Sequence, residues 1–183
     1  MSEDIVVRLC APTLAGMKTG SLFSCQYSTE AALLEDLRQL NLELGPKGVR
    51  VLPMRYQSGR ALIYLYRPSQ LGGDLADPVA HDLLSDRGYP CGNCDLCVAK
   101  LARRLRESPE FPHEIGLFLG YPPDDVRGFI QHRDADCKCV GYWKVYGDEQ
   151  RAKRLFRKYS ICTEAYSSLY AKGRSVAQLT IKT

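Results

Sequence analysis

The sequence predicts an α+β fold: a small, mostly antiparallel sheet covered by helices, with a long amphipathic helix near the C-terminus. Three observations predict it. Short β-branched or alternating runs recur along the chain, at 5–10, 21–27, 49–56, 61–66, 140–146 and 176–181. Between them lie segments with apolar residues three and four apart, led by Leu33, Leu37, Leu40 and Leu44. Ser58-Gly59 between two of the runs is the signature of a tight hairpin.

Taken in order, Ile5 to Cys10 is β-branched and reads as a strand, followed by a glycine-containing loop to Gly20. Ser21 to Tyr27 reads as a second strand, and Ser28 caps the leucine-striped helix, which Gly45-Pro46 ends. Val49–Tyr56 and Ala61–Tyr66 pair as a hairpin, with Pro53 marking an edge or a bulge. Pro68 opens a short helical turn. Asp77-Pro78 is a helix N-cap with proline at the first helical position, and Gly88 is the matching C-cap. A helix covers Cys94 to Glu107, and two short ones follow near 113–119 and 123–132. Val140–Tyr146 reads as a strand that puts Tyr142, Lys144 and Tyr146 on one face. Asp148 caps the longest helix, striped by Ala152, Leu155, Phe156, Tyr159, Cys162, Tyr166 and Leu169 and stopped by Gly173. Val176–Ile181 alternates like a last edge strand.

At 183 residues the chain has the size of one domain, 1–183, with a core that needs no staples. Hydrophobic residues at 45% and charged residues at 25% match globular proteins and exclude disordered, collagenous and membrane-spanning classes. No apolar run approaches the ~18 residues of a transmembrane helix. The acidic start, Met-Ser-Glu-Asp, lacks the character of a secretion signal, so the expectation is a cytoplasmic protein without a membrane partner. The net charge of +4 is unevenly spread: residues 150–183 hold eight Lys/Arg and one acid, Glu164. Arg151, Arg154, Arg157 and Lys158 form a basic helix face, a candidate site for anions, or for an interaction or nucleic-acid-binding module.

Eight cysteines without a secretion signal point to metal or redox chemistry rather than disulfides. Cys91, Cys94 and Cys97 form a C-x-x-C-x-x-C run, three-quarters of an iron–sulfur motif. The position of the usual fourth cysteine is Leu101. Cys137 or Cys139 would supply a fourth ligand; alternatively Cys91, Cys94, Cys137 and Cys139 would hold tetrahedral zinc. A metal-free redox dithiol with a redox or protein partner is a further reading, and three small packed residues on one helix face the plainest.

A second constellation is Cys10, Lys18, His113 and Glu114. A thiol nucleophile, a histidine base, an orienting carboxylate and a lysine that steadies an anion would make a thiol enzyme for a small anionic substrate. A third pattern, Gly116, Gly120 and Val126, has helix-turn-helix spacing. Asp124 and Asp125 would then face phosphate, which argues against nucleic acid and for a packing corner with the acids at a helix N-terminus. Tyr142, Trp143 and Tyr146 around Lys144 could stack a base, a flavin or a nicotinamide, or serve as sheet surface. Neither G-x-G-x-x-G nor a Walker loop is present.

Three segments carry a family resemblance: Cys10-Ala-Pro-Thr-Leu-Ala-Gly-Met-Lys-Thr-Gly, the run from Phe111-Pro-His-Glu-Ile-Gly-Leu-Phe-Leu-Gly-Tyr-Pro-Pro-Asp-Asp-Val to Arg127-Gly-Phe-Ile, and Gly141-Tyr-Trp-Lys-Val-Tyr-Gly-Asp. In order and spacing the chain resembles the bacterial family filed as domain of unknown function 3793, common in anaerobes. The resemblance covers most of the chain and implies a cytoplasmic bacterial protein but no activity. An anaerobic host would favour oxygen-sensitive metal chemistry, and the best functional expectation is a metal- or thiol-linked accessory protein. The cysteines at 91–97 lie outside the segments that carry the resemblance.

Overall fold

A computed structural model of the chain describes residues 2–108, 110–133 and 135–182. Its elements run α1 (Glu3–Leu14), β1 (Gly20–Gln26), α2 (Glu30–Leu44), β2 (Arg50–Gln57), β3 (Arg60–Tyr66), α3 (Pro68–Leu75), α4 (Pro78–Ser85), α5 (Cys94–Glu107), α6 (Ile115–Phe118), α7 (Pro123–His132), β4 (Cys139–Val140), β5 (Lys144–Val145), α8 (Glu149–Ala171) and α9 (Val176–Leu179). The fold is α+β, as the sequence predicts. Among the described residues no helix is long and apolar enough to cross a membrane. The chain divides into two compact units, one of residues 1–69 and 161–183 and one of residues 70–160.

The first unit is a three-stranded antiparallel sheet in the order β1-β3-β2, with helices packed on it. Ser58 and Gly59 turn the β2–β3 hairpin with positive φ of 50° and 73°, as a tight hairpin turn demands. The register shifts between Pro53 and Arg55, the bulge expected of a proline that cannot donate to the ladder. The leucine stripe of α2 is wholly buried, and Thr29, one residue after the expected Ser28, caps it by accepting from the Ala32 amide at 3.2 Å.

Two segments read as strands are helices. In α1, Val6, Val7, Cys10, Ala11 and Leu14 are fully buried while Leu9 is exposed. That is helical spacing, and burial at three- and four-residue intervals overrides the β-propensity of Ile5-Val6-Val7. Glu3 and Asp4 sit in the first turn, where the helix dipole favours them, and Asp4 pairs with Arg8 at 2.8 Å. Val176–Leu179 is likewise a helix, held by a capping box. Ser175 Oγ accepts from the Gln178 amide at 3.2 Å, and Gln178 Oε1 accepts from the Ser175 amide at 3.1 Å.

A buried arginine ties this unit together. The α1 C-terminus leaves carbonyls without intrahelical partners, and its last turn carries no basic residue. Arg67, just past β3 and fully buried, fills the gap. Its Nε donates to the Thr13 carbonyl at 2.7 Å, and its Nη2 donates to those of Leu14 at 2.7 Å and Ile181 at 2.8 Å. Lys47 adds a bond to the Thr180 carbonyl at 3.0 Å and another to that of Ala177. One cation thus joins the first helix, the sheet and the C-terminal segment.

In the second unit α5 begins at Cys94 and ends at Glu107, as expected, with Asn93 as its cap. Asp77 caps α4, but that helix stops at Ser85, and Gly88 follows with φ of 67° in a turn whose amide donates to the Ser85 carbonyl. The expected strand at 140–146 is a short hairpin instead. β4 pairs with β5 across a turn in which the Gly141 amide donates to the Trp143 carbonyl at 3.0 Å. A side chain at Gly141 would meet the Phe156 ring at 2.3 Å, so the chain bends where only glycine fits and the alternation is broken. Asp148 caps α8 by accepting from the Arg151 amide at 2.9 Å, and Gly173 follows that helix with φ of 90°. Of the predicted stripe, Ala152, Tyr159 and Cys162 are buried, while Leu169 is 40% exposed.

Replacing Arg67 by Met should strip a charged donor from the carbonyls of Thr13, Leu14 and Ile181, of which Thr13 and Leu14 keep one backbone N–H each, and lower unfolding stability by about 3 kcal/mol. Urea denaturation checks this. Arg67→Lys should recover little, because an ammonium cannot reproduce the forked donors.

Candidate functional site

The second unit contains a cleft of about 390 Å³ between α6, α7 and the β4–β5 hairpin. It is built from the packing corner expected at Gly116-Gly120-Val126. Pro122-Pro123 starts α7, Gly120 turns the chain with φ of 73°, and α6 lies close against α7. A side chain on Gly116 would come within 2.8 Å of Val126 and 3.1 Å of Tyr121. Gly128, which weakens a helix in isolation, is required here because the Tyr146 ring lies 2.4 Å from where its Cβ would be.

Asp125 fixes the far wall. It is 3% exposed, and its carboxylate accepts from the Trp143 indole N–H, the Tyr146 amide and the Gly147 amide, each at 2.7 Å. The sequence reading gave Asp125 only a helix-dipole interaction; the structure makes it the joint between α7 and the hairpin. Trp143 then stacks on Tyr121 with ring centroids 4.8 Å apart and meets Phe156 edge-on at 4.6 Å. Burial pushes the Tyr121 hydroxyl up to about 12, so it stays protonated in ordinary buffers. Phe111, Phe129, Ile115 and Leu119 complete the apolar lining. Lys144 lines the same cleft, its ammonium 5.5 Å from the Phe129 ring centroid.

His113 also lines the cleft. Its Nε2 lies 2.7 Å from an Arg133 nitrogen. Arginine can only donate, so His113 is the acceptor of this bond. The Phe129 ring packs against the imidazole edge at 5.0 Å. Glu114, next in sequence, does other work. It is 2% exposed and takes the Tyr89 hydroxyl at 2.9 Å, Arg104 at 3.1 Å and Arg87 at 3.6 Å. A carboxylate held this way anchors α5 and the segment that follows α4 to the start of α6, and none of these bonds involves His113.

Cys10 and Lys18 belong to the first unit, His113 and Glu114 to the second. Cys10 lies in α1 rather than at a strand end, fully buried, and desolvation pushes its thiol up to about 12 against the pull of Lys18. Burial likewise lowers Lys18 to about 8, and its ammonium donates to the Gly20 carbonyl at 2.7 Å. Nearby, the Thr13 and Ser21 hydroxyls share a bond of 2.9 Å.

Cys91, Cys94 and Cys97 line a separate cleft of about 370 Å³ with His81, while Cys139 packs by the Trp143 cluster. All eight cysteines are free thiols. Among the described residues no group of three or more His, Cys, Asp or Glu side chains is placed to hold a metal ion. Arg151, Arg154, Arg157 and Lys158 are exposed along α8, as a solvated face would be.

The second unit thus carries a preformed, largely apolar cleft with one aromatic wall. The chain belongs to the family described as "Protein of unknown function (DUF3793)", which matches residues 6–180. No curated protein and no solved structure gives a significant match. Two of the three segments that carry the resemblance, those beginning at Phe111 and Gly141, converge on the cleft.

Two outcomes follow. Asp125→Ala should strand three donors, cost about 2–4 kcal/mol and expose the indole, seen as a red shift of the Trp143 emission in the folded variant. Lys18 should give stability a pH signature. From pH 8 to 9 the unfolded chain keeps a lysine proton that the folded chain sheds, so this residue makes stability rise with pH, by at most about 1.4 kcal/mol per unit. The buried thiols of Cys10, Cys25, Cys97 and Cys162, held up by burial, stay protonated in the folded chain while those of the unfolded chain ionise around pH 9, and work the other way. Urea titrations should show wild-type stability gaining on that of Lys18→Met between pH 7.5 and 9.

Proposed function

We propose that this protein binds a planar heteroaromatic small molecule bearing an anionic group, in the cleft walled by Trp143. The observation that carries this reading is the lining itself: Trp143, Tyr121, Phe129 and Phe111 surround one space, and Lys144 opens onto it. Aromatic walls favour a flat π-system by stacking. The volume lies within the roughly 300–1,000 Å³ typical of small-molecule sites. The local charge favours an anion, since Lys144 and the Arg133 that holds His113 outnumber the buried Asp125, whose oxygens are already occupied. The family resemblance supports a bacterial cytoplasmic setting.

Trp143 is the chain's single tryptophan, so its emission reports on the cleft alone. Titration with flavin mononucleotide, a flat tricyclic ring with a phosphate, should quench it saturably. Lys144→Ala should weaken binding about tenfold, equivalent to about 1.4 kcal/mol, and riboflavin, which lacks the phosphate, should bind the wild type about as weakly as the mononucleotide binds that variant. Quenching that never saturates, or that ignores both changes, would overturn the reading.

A further inference from the structure

The cysteine cleft is independent of the aromatic one and carries a different chemistry. Its lining includes Cys91, Cys94, Cys97 and His81, with Leu75 and Leu84 beside them. The three thiols are not equivalent. Cys94 is the first residue of α5 and is partly exposed to the cleft. Cys97 is one turn further on, 2% exposed, and its sulfur donates to the Pro90 carbonyl at 3.5 Å. Cys91, before the helix, donates to the His81 carbonyl at 3.7 Å. Residues three apart on a helix bring their Cβ atoms within about 5–6 Å, close to the reach of a disulfide after a small adjustment.

We propose that Cys94 and Cys97 form a reversible dithiol–disulfide couple that exchanges with a small-molecule disulfide admitted to this cleft. The accessible Cys94 is the attacking group. The first turn of α5 favours negative charge on its sulfur. Its thiolate attacks one sulfur of R–S–S–R; the Cys94–SR bond forms, the S–S bond breaks, and RS⁻ leaves with the electron pair. Cys97 then gives its proton to that thiolate, forming RSH, and its sulfur attacks Sγ of Cys94. The intramolecular disulfide forms and a second RS⁻ departs, taking the proton that Cys94 gave up to solvent. Two protein thiols are oxidised and one disulfide is reduced to two thiols.

Burial suits Cys97 to the second step. It holds the Cys97 thiol up at about 11, with the neighbouring Cys91 and Cys94 adding to the rise. A shielded, protonated thiol is spared by solvent oxidants and becomes a nucleophile only when it passes its proton to the departing thiolate beside the mixed disulfide one helical turn away. The other cysteines differ in setting: Cys10, Cys25 and Cys162 are buried, and Cys137 and Cys139 are not among the residues lining this cleft.

The test is glutathione disulfide added to the reduced, metal-free full chain, followed by peptide mass spectrometry. The wild type should lose two hydrogens at a Cys94–Cys97 disulfide, with no lasting glutathione. Cys97→Ser, and Cys97→Ala if the first folds poorly, should trap one glutathione on Cys94. Cys94→Ser should abolish exchange in the cleft, and Cys91→Ser should leave it intact. A disulfide between Cys91 and Cys94, or glutathione spread over Cys137 and Cys139, would overturn the proposal. So would stoichiometric zinc that is retained through chelation and leaves Cys94 unreactive.

Discussion

The second unit depends on one buried carboxylate. Taking Asp125 out of water is costly, and the cost is offset only because three N–H groups meet it at 2.7 Å. Those three donors come from the hairpin and the residues just after it, and the acceptor comes from the first turn of α7. The hairpin is only two residues per strand, too short to hold its own shape. Asp125 therefore sets where Trp143 stands, and Trp143 in turn gives the cleft its stacking wall. The glycines at 116, 128 and 141 serve the same geometry, each lying where a neighbouring side chain leaves no room for a Cβ.

The first unit depends on a buried cation in the corresponding way. Arg67 satisfies the end of α1 and the C-terminal segment together. Its neighbour in function, the Cys10–Lys18 pair, is as well shielded, and the two groups shift each other's titration in opposite senses to burial. Both units thus use buried polar groups as fasteners. The two clefts, one aromatic and one lined by thiols, lie in the second unit, each with its own set of residues.

Much of this was legible in the sequence. The α2 leucines, the Ser58-Gly59 turn, the bulge after Pro53, the bounds of α5 and the Asp148 cap follow from local rules, because turns and caps are decided by nearby residues. The α1 and α9 segments were not read correctly. Their β-branched residues carry a strand propensity that tertiary burial overrode, although Ser175 and Gln178 already spelled a capping box. The site was half legible. Lys144 beside Trp143 and Tyr142 marked an aromatic cluster, and the glycine spacing marked a corner. The Asp125 bonds were hidden because they join residues about twenty apart, with no local sign beyond a lone tryptophan whose N–H must find a partner. Separation in sequence, from 10 to 27 residues, likewise concealed that Glu114 answers to Tyr89, Arg87 and Arg104 rather than to His113.

Trp143, held by Asp125 as one wall of a preformed cleft, is the centre of this account. A two-dimensional ¹H–¹⁵N spectrum tests it directly, because one indole cross-peak reports on the chain's single tryptophan. The account expects that proton to exchange slowly with solvent. It also expects flavin mononucleotide to move the indole peak together with amides of residues 111–129 and 141–147, leaving the first unit still. An indole proton that exchanges freely, or shifts confined to residues outside that cleft, would contradict it.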